Sequence, residues 1–214
     1  MGTNVVSNNN ETVRLFKNPV LEYFSHIHPA TPVVVYIPVV AYNAWRGAAH
    51  TGVAVMLASL VGGVLAWTLF EYIMHRWVFH YQPTSKTGKR IHFLVHGVHH
   101  DYPRDATRLV MPLLVSVPLA LLIFALCAST IAPYHYGFFA GFIAGYVAYD
   151  SIHYATHHMH LTGSVGRFLK SYHMNHHYVD DDTAYGVSNP LWDYVFRTIP
   201  HRVRRPSQQR SATS

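Results

Sequence analysis

Residues 109–149 contain no Asp, Glu, Lys or Arg. One helix needs about 20 apolar residues to cross a bilayer, so a run of 41 positions is too long for a single span. The segment Ala132-Pro133-Tyr134-His135-Tyr136-Gly137 supplies the proline and glycine that break it. Two helices are expected, near 109–131 and 137–157. A third span is expected from Gly52 to Met74. A fourth, Pro32–Trp45, is short and carries Pro38 in its middle, which leaves it tilted, broken or re-entrant. The reading is an all-α integral membrane protein with four transmembrane helices in two hairpins.

The composition agrees with a chain that sits partly in lipid. Charged residues make up 12% and hydrophobic residues 50%, where soluble domains carry about 25% charge. The mean hydropathy is +0.10 and the net charge +6. In so apolar a chain the excess positive charge points to anionic headgroups and not to nucleic acid. Cys127 is the single cysteine, which excludes an internal disulfide framework and any cysteine-based zinc or haem motif. No leader of charged n-region and apolar h-region opens the sequence.

Of the 16 Lys and Arg, only Arg46 falls in the expected hairpin connections, 46–51 and 132–136. By the positive-inside rule the N-terminal segment, the 75–108 connection and the C-terminal portion share the cytoplasmic side. That side faces the cytoplasm of a bacterial inner membrane or of an endoplasmic reticulum. The expected organisation is an interfacial segment over 1–30, a membrane domain with a helical cap over 31–200, and a disordered basic tail over 201–214. Gly137, Gly141 and Gly145 recur at steps of four, a small-residue stripe expected to let two helices approach closely.

The chain carries 18 histidines, and ten of them form a pattern. His96, His99 and His100 stand at i, i+3 and i+4, and His173, His176 and His177 repeat that spacing. His153 and His157 are four apart, so each of these sets shares one helix face. His75 and His80 are five apart, which on an ideal helix separates them by about 140°, so one of them is expected on a bent or ending turn, or the two straddle the site. The topology brings all four groups to the cytoplasmic side.

Ten neutral imidazoles can fill most of the ~12 positions of two octahedral ions, and imidazole suits iron, zinc, copper or nickel. A structural zinc needs about four ligands. The chemistry expected of such a pair beside a lipid is O₂ activation at iron. Asp150, Asp180, Asp181 and Asp182 are the candidate acids for orienting histidine N–H groups from outside the ligand set. Tyr149, Tyr154, Tyr172, Tyr185 and Trp192 are candidates for shaping an acyl pocket. His26, His28, His50, His92, His135, His158, His160 and His201 are read as ordinary interface or core residues.

These motifs resemble the fatty acid hydroxylase and sterol desaturase superfamily, and most closely the fatty acid 2-hydroxylases. The resemblance is carried by "LFEYIMHRWVFH", "HGVHHDYPRDATRLVMP", "GYVAYDSIHYATHH" and "HMNHHYVDDDTAYGVSNPLWDYVFRT", and covers about residues 15–200. It implies a membrane di-iron mono-oxygenase that uses O₂ and two electrons to hydroxylate C2 of a fatty acid or of the N-acyl chain of a sphingolipid. It implies that His75, His80, His96, His99, His100, His153, His157, His173, His176 and His177 are the metal ligands. Zinc competes for such nitrogens, so purified protein can carry it. Relatives often include a cytochrome b5 domain. No haem module is read here, so electrons are expected from a separate cytochrome b5-like or ferredoxin-like protein. The alternatives are a carotenoid or sterol hydroxylase or desaturase of the same superfamily, and a membrane metal-handling protein.

Overall fold

The computed structural model describes residues 5–200, and the described residues are helical with no strand. The long helices are α2 (Thr31–Thr51), α3 (Val53–Ile73), α6 (Leu113–Thr130) and α7 (His135–His158). Two stretches, Val53–Phe79 and Leu113–Thr130, are long and apolar enough to cross a bilayer. A short helix, α1 (Pro19–Phe24), precedes α2. Its start is written in the sequence, because Asn18 accepts the Val20 and Leu21 amides and Pro19 sits at the first helical position. The tail 201–214 and His201 lie outside the described residues.

Helix α2 is longer than expected. It runs through Pro38 and through 46–51, where a connection was anticipated, because "RGAAHT" offers no strong breaker. The turn is compressed onto Gly52, whose φ of 82° disfavours other residues. The second break falls as read, with α6 ending at Thr130 and α7 starting at His135.

The glycine stripe packs as anticipated, and its partner is α3. A Cβ at Gly141 would lie 1.9 Å from the Leu60 carbonyl oxygen, and one at Gly145 2.6 Å from Trp67. Gly63 answers from α3, where a Cβ would meet the Phe138 oxygen at 1.9 Å. Backbone therefore meets backbone along this seam, as small residues permit. Around it, Tyr36, Trp67, Phe139, Phe142, Ile143 and Tyr146 form the apolar core. The Tyr36 hydroxyl donates to Ser116 Oγ at 2.8 Å and ties α2 to α6.

Beyond the long helices lies a cap of shorter elements. Helix α3 continues into a π-helical turn, π1 (Met74–Phe79). Helix α4 (Lys86–His92) runs into a second one, π2 (Phe93–Gly97), and then α5 (Val98–Asp101). Helices α8 (Ser164–Tyr178) and α9 (Leu191–Phe196) complete it. The N-terminal segment is tied to the loop after α5 through buried Arg108, which donates to Glu22 Oε1 at 2.6 Å, Ser25 Oγ at 2.8 Å and Thr12 Oγ1 at 3.1 Å. Glu22 also accepts the Leu15 and Phe16 amides at 3.0 and 2.8 Å.

Candidate metal centre

The five-residue spacing of His75 and His80 is resolved by π1. The His80 amide donates to the His75 carbonyl at 3.2 Å, the i→i+5 bond of a π-turn. That wider turn turns both side chains to the same side, which an α-helix could not do. Helix α3 thus delivers the pair from its end, and α7 delivers His153 and His157 from its own.

The ten histidines gather into two groups of five. Cluster A is His75, His80, His96, His100 and His176; cluster B is His99, His153, His157, His173 and His177. Within each cluster the candidate ligand atoms lie within 4.8 Å of one another. The two HxxHH triplets are divided, not kept whole. His96 and His100 enter cluster A while His99 crosses to B; His173 and His177 enter B while His176 crosses to A. The i, i+4 pair stays together and i+3 leaves, because i+3 points to the other side of the shared helix face. Where the clusters meet, the His100 and His177 rings stack at 4.3 Å.

The nitrogens face each other. In cluster A, Nε2 of His96 lies 3.2 Å from that of His75 and 3.0 Å from that of His100, and the His176 and His80 Nε2 atoms are 3.0 Å apart. In cluster B, Nε2 of His173 lies 2.8 Å from that of His157 and 3.1 Å from that of His177, and His153 and His99 approach to 2.9 Å. Two of the tautomers are fixed by geometry. His75 Nδ1–H donates to the Tyr185 carbonyl at 2.5 Å and His176 Nδ1–H to the Thr183 carbonyl at 2.6 Å. Their Nε2 atoms therefore carry bare lone pairs, aimed at other imidazole nitrogens.

A neutral partner ring can donate its own Nε2–H across such a contact, and a cation placed among the nitrogens would engage all of their lone pairs at once. Burial, reinforced by neighbouring histidines, pushes His96, His100, His173 and His177 well below the ordinary histidine range. Burial likewise drives His99 and His176 down to about 3. The rings are neutral bases, the form in which imidazole binds a metal. An all-nitrogen donor set of this kind is compatible with iron, zinc, copper or nickel.

The outer residues fall differently from expectation. Asp150 Oδ2 and His153 Nδ1 both lack a hydrogen-bond partner among the described residues, so the i−3 pair is not joined. Asp180, Asp181 and Asp182 cluster past the end of α8, where Asp180 accepts the Asp182 amide. The Nδ1–H groups of His75 and His176 go instead to backbone carbonyls five and three residues beyond Asp180. Of the aromatic candidates, Tyr185 packs against His75, His80 and His176 at 5.7, 5.4 and 5.6 Å, and Tyr149 against His153 at 5.5 Å. Tyr154 stacks on His158, Tyr172 lies against Phe168, and Trp192 donates to Thr68.

Two residues that sequence reasoning passed over stand beside the site. Glu71 and Asp193 are 4% and 0% exposed and receive the amides of residues 185–188. Glu71 carried a legible signal, as an acid near the end of an otherwise apolar span.

An all-helical protein with two touching five-histidine clusters defines a class of candidate di-metal enzyme. Comparison with known proteins narrows it. Residues 60–198 match the family described as "Fatty acid hydroxylase". The dihydroceramide fatty acyl 2-hydroxylase FAH1 of Arabidopsis thaliana is 36% identical over 196 residues, which cover 89% of this chain and 81% of that one. Human fatty acid 2-hydroxylase is 35% identical over 213 residues, 87% of this chain and 56% of the relative. The solved structure of full-length scs7p, in which only the hydroxylase domain is visible, superposes with a TM-score of 0.82 at 35% identity, covering 89% of this chain and 73% of that one. This chain belongs to the fatty acid hydroxylase family.

Proposed function

We propose that the chain is a membrane-bound mono-oxygenase that hydroxylates an acyl chain at C2, in a fatty acid or in an N-acyl sphingolipid, with O₂ and two electrons. The observation that carries the reading is the pair of all-nitrogen clusters, five neutral histidines in each, in a chain of this family. The ten histidines would hold two iron ions, and the bound pair would supply O₂ activation and oxygen insertion. The chain's own part is to fix the ligand nitrogens and exclude water. Eight of the ten are buried, with His80 and His100 half-buried.

In this reading α2, α3, α6 and α7 all cross the bilayer and the cap is cytoplasmic. Support comes from their lengths, 21, 21, 18 and 24 residues, and from exposed Val34 on α2, Leu65 on α3 and Leu121 and Leu122 on α6. Apolar side chains left outward suit lipid contact.

The clusters stand at the ends of α3 and α7, at the level where a lipid keeps its polar head. The C–H bond nearest them is close to that head, which favours C2 over mid-chain positions. A small apolar cavity between α2, α3, α6 and α7, lined by Trp67, Phe142 and Tyr146 among others, has the size of a few water molecules and must widen to take an acyl tail. Trp67 touches Tyr149 at 5.9 Å, and Tyr149 touches His153 at 5.5 Å, so the cavity wall leads to cluster B. Electrons come from a donor protein of cytochrome b5-like or ferredoxin-like type.

The test is lipid mass spectrometry of a host with and without this chain under ¹⁸O₂, with a donor co-expressed. A 2-hydroxyacyl product bearing ¹⁸O is expected. Label in carotenoids or sterols instead, or in no lipid, refutes the proposed substrate.

A further inference from the structure

We infer that Glu71 and Asp193 are positioning residues for cluster A alone. They clamp the loop 183–188 so that its carbonyls hold His75 and His176 with Nε2 turned inward. The inference rests on reading the clusters as metal sites.

Four consecutive backbone amides end on these two carboxylates. Asp193 Oδ1 accepts from Tyr185 N–H at 3.0 Å, and Oδ2 from Gly186 N–H at 2.8 Å. Glu71 Oε1 accepts both Val187 N–H and Ser188 N–H at 2.8 Å, while Oε2 takes the Ser188 hydroxyl. Asp193 Oδ1 also receives Thr198 Oγ1–H at 2.7 Å. Three donors on its two oxygens suit Asp193 as a carboxylate, and hydrogen bonds to an ionised acceptor are about twice as strong as neutral ones.

The clamp acts on a backbone bent for the purpose. Ala184 has φ 58°, in the left-handed region, and its amide donates to the Thr198 carbonyl at 2.9 Å. On either side of that bend the Thr183 and Tyr185 carbonyls accept from His176 and His75. Next comes Gly186, where a Cβ would sit 2.0 Å from the Asn189 oxygen and 2.9 Å from Asp193 Oδ2. Glu71 also lies one helical turn before His75 on the same helix, so ligand and clamp share one rigid element. Three of the five rings in cluster B show no such support. Nδ1 of His153, His173 and His177 finds no hydrogen-bond partner among the described residues.

The hydrogen-bond pattern makes the two acids unequal. Both Asp193 oxygens receive amides, which cannot become acceptors, so Asp193→Asn must set an NH₂ against an N–H. Glu71 offers one oxygen to both amides and the other to a hydroxyl. In Glu71→Gln the amide group donates to Ser188 Oγ, and the hydroxyl turns away.

The test uses the full chain purified in detergent, loaded with zinc and titrated with a chelator, with metal per chain counted. Wild type should hold two ions. D193N should release one of them at about 10–100-fold higher free zinc than wild type and keep the other unchanged, while E71Q stays within about threefold of wild type at both. The weakened ion is assigned by background: D193N should weaken the ion left in H153A and spare the ion left in H75A. Equal weakening of both ions, no weakening in D193N, or matching losses in E71Q and D193N would overturn the inference. If D193N does not fold, T198V removes one donor to Asp193 and must weaken cluster A selectively; unchanged affinity there overturns the inference as well. Wild-type protein holding fewer than two ions refutes the metal reading itself, an outcome separate from the others.

Discussion

Clusters A and B use the same number of imidazoles but are built by different means. Cluster B stands on α-helices: His153 and His157 are one turn apart on α7, and His173 and His177 one turn apart on α8. Cluster A depends on two π-helical turns, since His75 lies within π1 and His96 within π2. It also depends on a loop that feeds two carbonyls to its rings. Regular helix geometry suffices for one cluster, while the other needs backbone departures held by buried carboxylates. π-turns recur at functional sites because they re-aim a side chain without breaking the helix.

The largest expected effect comes from the two residues that cross. His99 and His176 each leave their triplet for the opposite cluster. H99A should empty cluster B although its neighbours in sequence serve A, and H176A should empty cluster A although its neighbours serve B. Each should remove 2-hydroxyacyl formation by more than the about 10–100-fold that loss of an outer partner costs. Metal counts in each variant combined with H75A or H153A read out which cluster fails. If H176A emptied the same cluster as H173A, the divided-triplet arrangement would be wrong.

Sequence reading reached cluster B more fully than cluster A, and the reason is periodicity. A spacing of four or three-and-four on a helix announces a shared face, so the HxxxH pair and both triplets could be grouped from their spacing. The same rule said only that His75 and His80 need a bent or ending turn or a straddled site, and not that the turn is a π-turn, which leaves no mark in residue type. Nor does a shared face say that i+3 serves a different partner from i and i+4; that needs a second helix approaching from the other side. Helices α3, α6 and α7 were legible from their apolar runs, while α2 was legible only in part because Pro38 and Arg46 lie inside it, and the α3–α7 seam was legible from glycines four apart. Outer partners were sought among side-chain acids, and Asp150, Asp180, Asp181 and Asp182 were the visible choices. The partners found are the carbonyls of Thr183 and Tyr185, and backbone groups have no signature in sequence.

A smaller effect, equal for both clusters, is expected at the seam. Helix α3 carries the cluster A pair through π1 and α7 carries the cluster B pair, so their contact sets where the clusters lie relative to each other. In G141A the new Cβ would stand 1.9 Å from the Leu60 carbonyl, a backbone atom that cannot rotate aside. Overpacking of this kind costs about 1–3 kcal/mol. The variant should melt earlier in detergent and lose both ions in step. Loss of one ion before the other would show the clusters to be mechanically separate.

The smallest expected effect lies in the anchor of the N-terminal segment, outside both clusters. Arg108 follows the first triplet by eight residues and is anchored to Glu22 of α1 at 2.6 Å. Although burial opposes ionisation of Glu22, amides from Phe16 and Leu15 together with His26 and Arg108 outweigh it and hold the carboxyl down at about 2. A carboxylate whose folded value is depressed stabilises the fold above its unfolded value, and that contribution is lost as pH falls toward the folded one. The window here runs from about 4.5 down to about 2. Acid also releases metal from the histidines, which gives any variant a steep slope of its own. Comparison of wild type with E22Q removes that common slope. E22Q should melt below wild type at pH 7, and the gap should narrow as pH drops below about 4.5, because protonation converts the wild-type carboxyl into a neutral group as well. Metal content at pH 7 should fall equally, if at all, in both clusters. A gap that stays constant down to pH 3 would mean that Glu22 acts through packing and not through its charge.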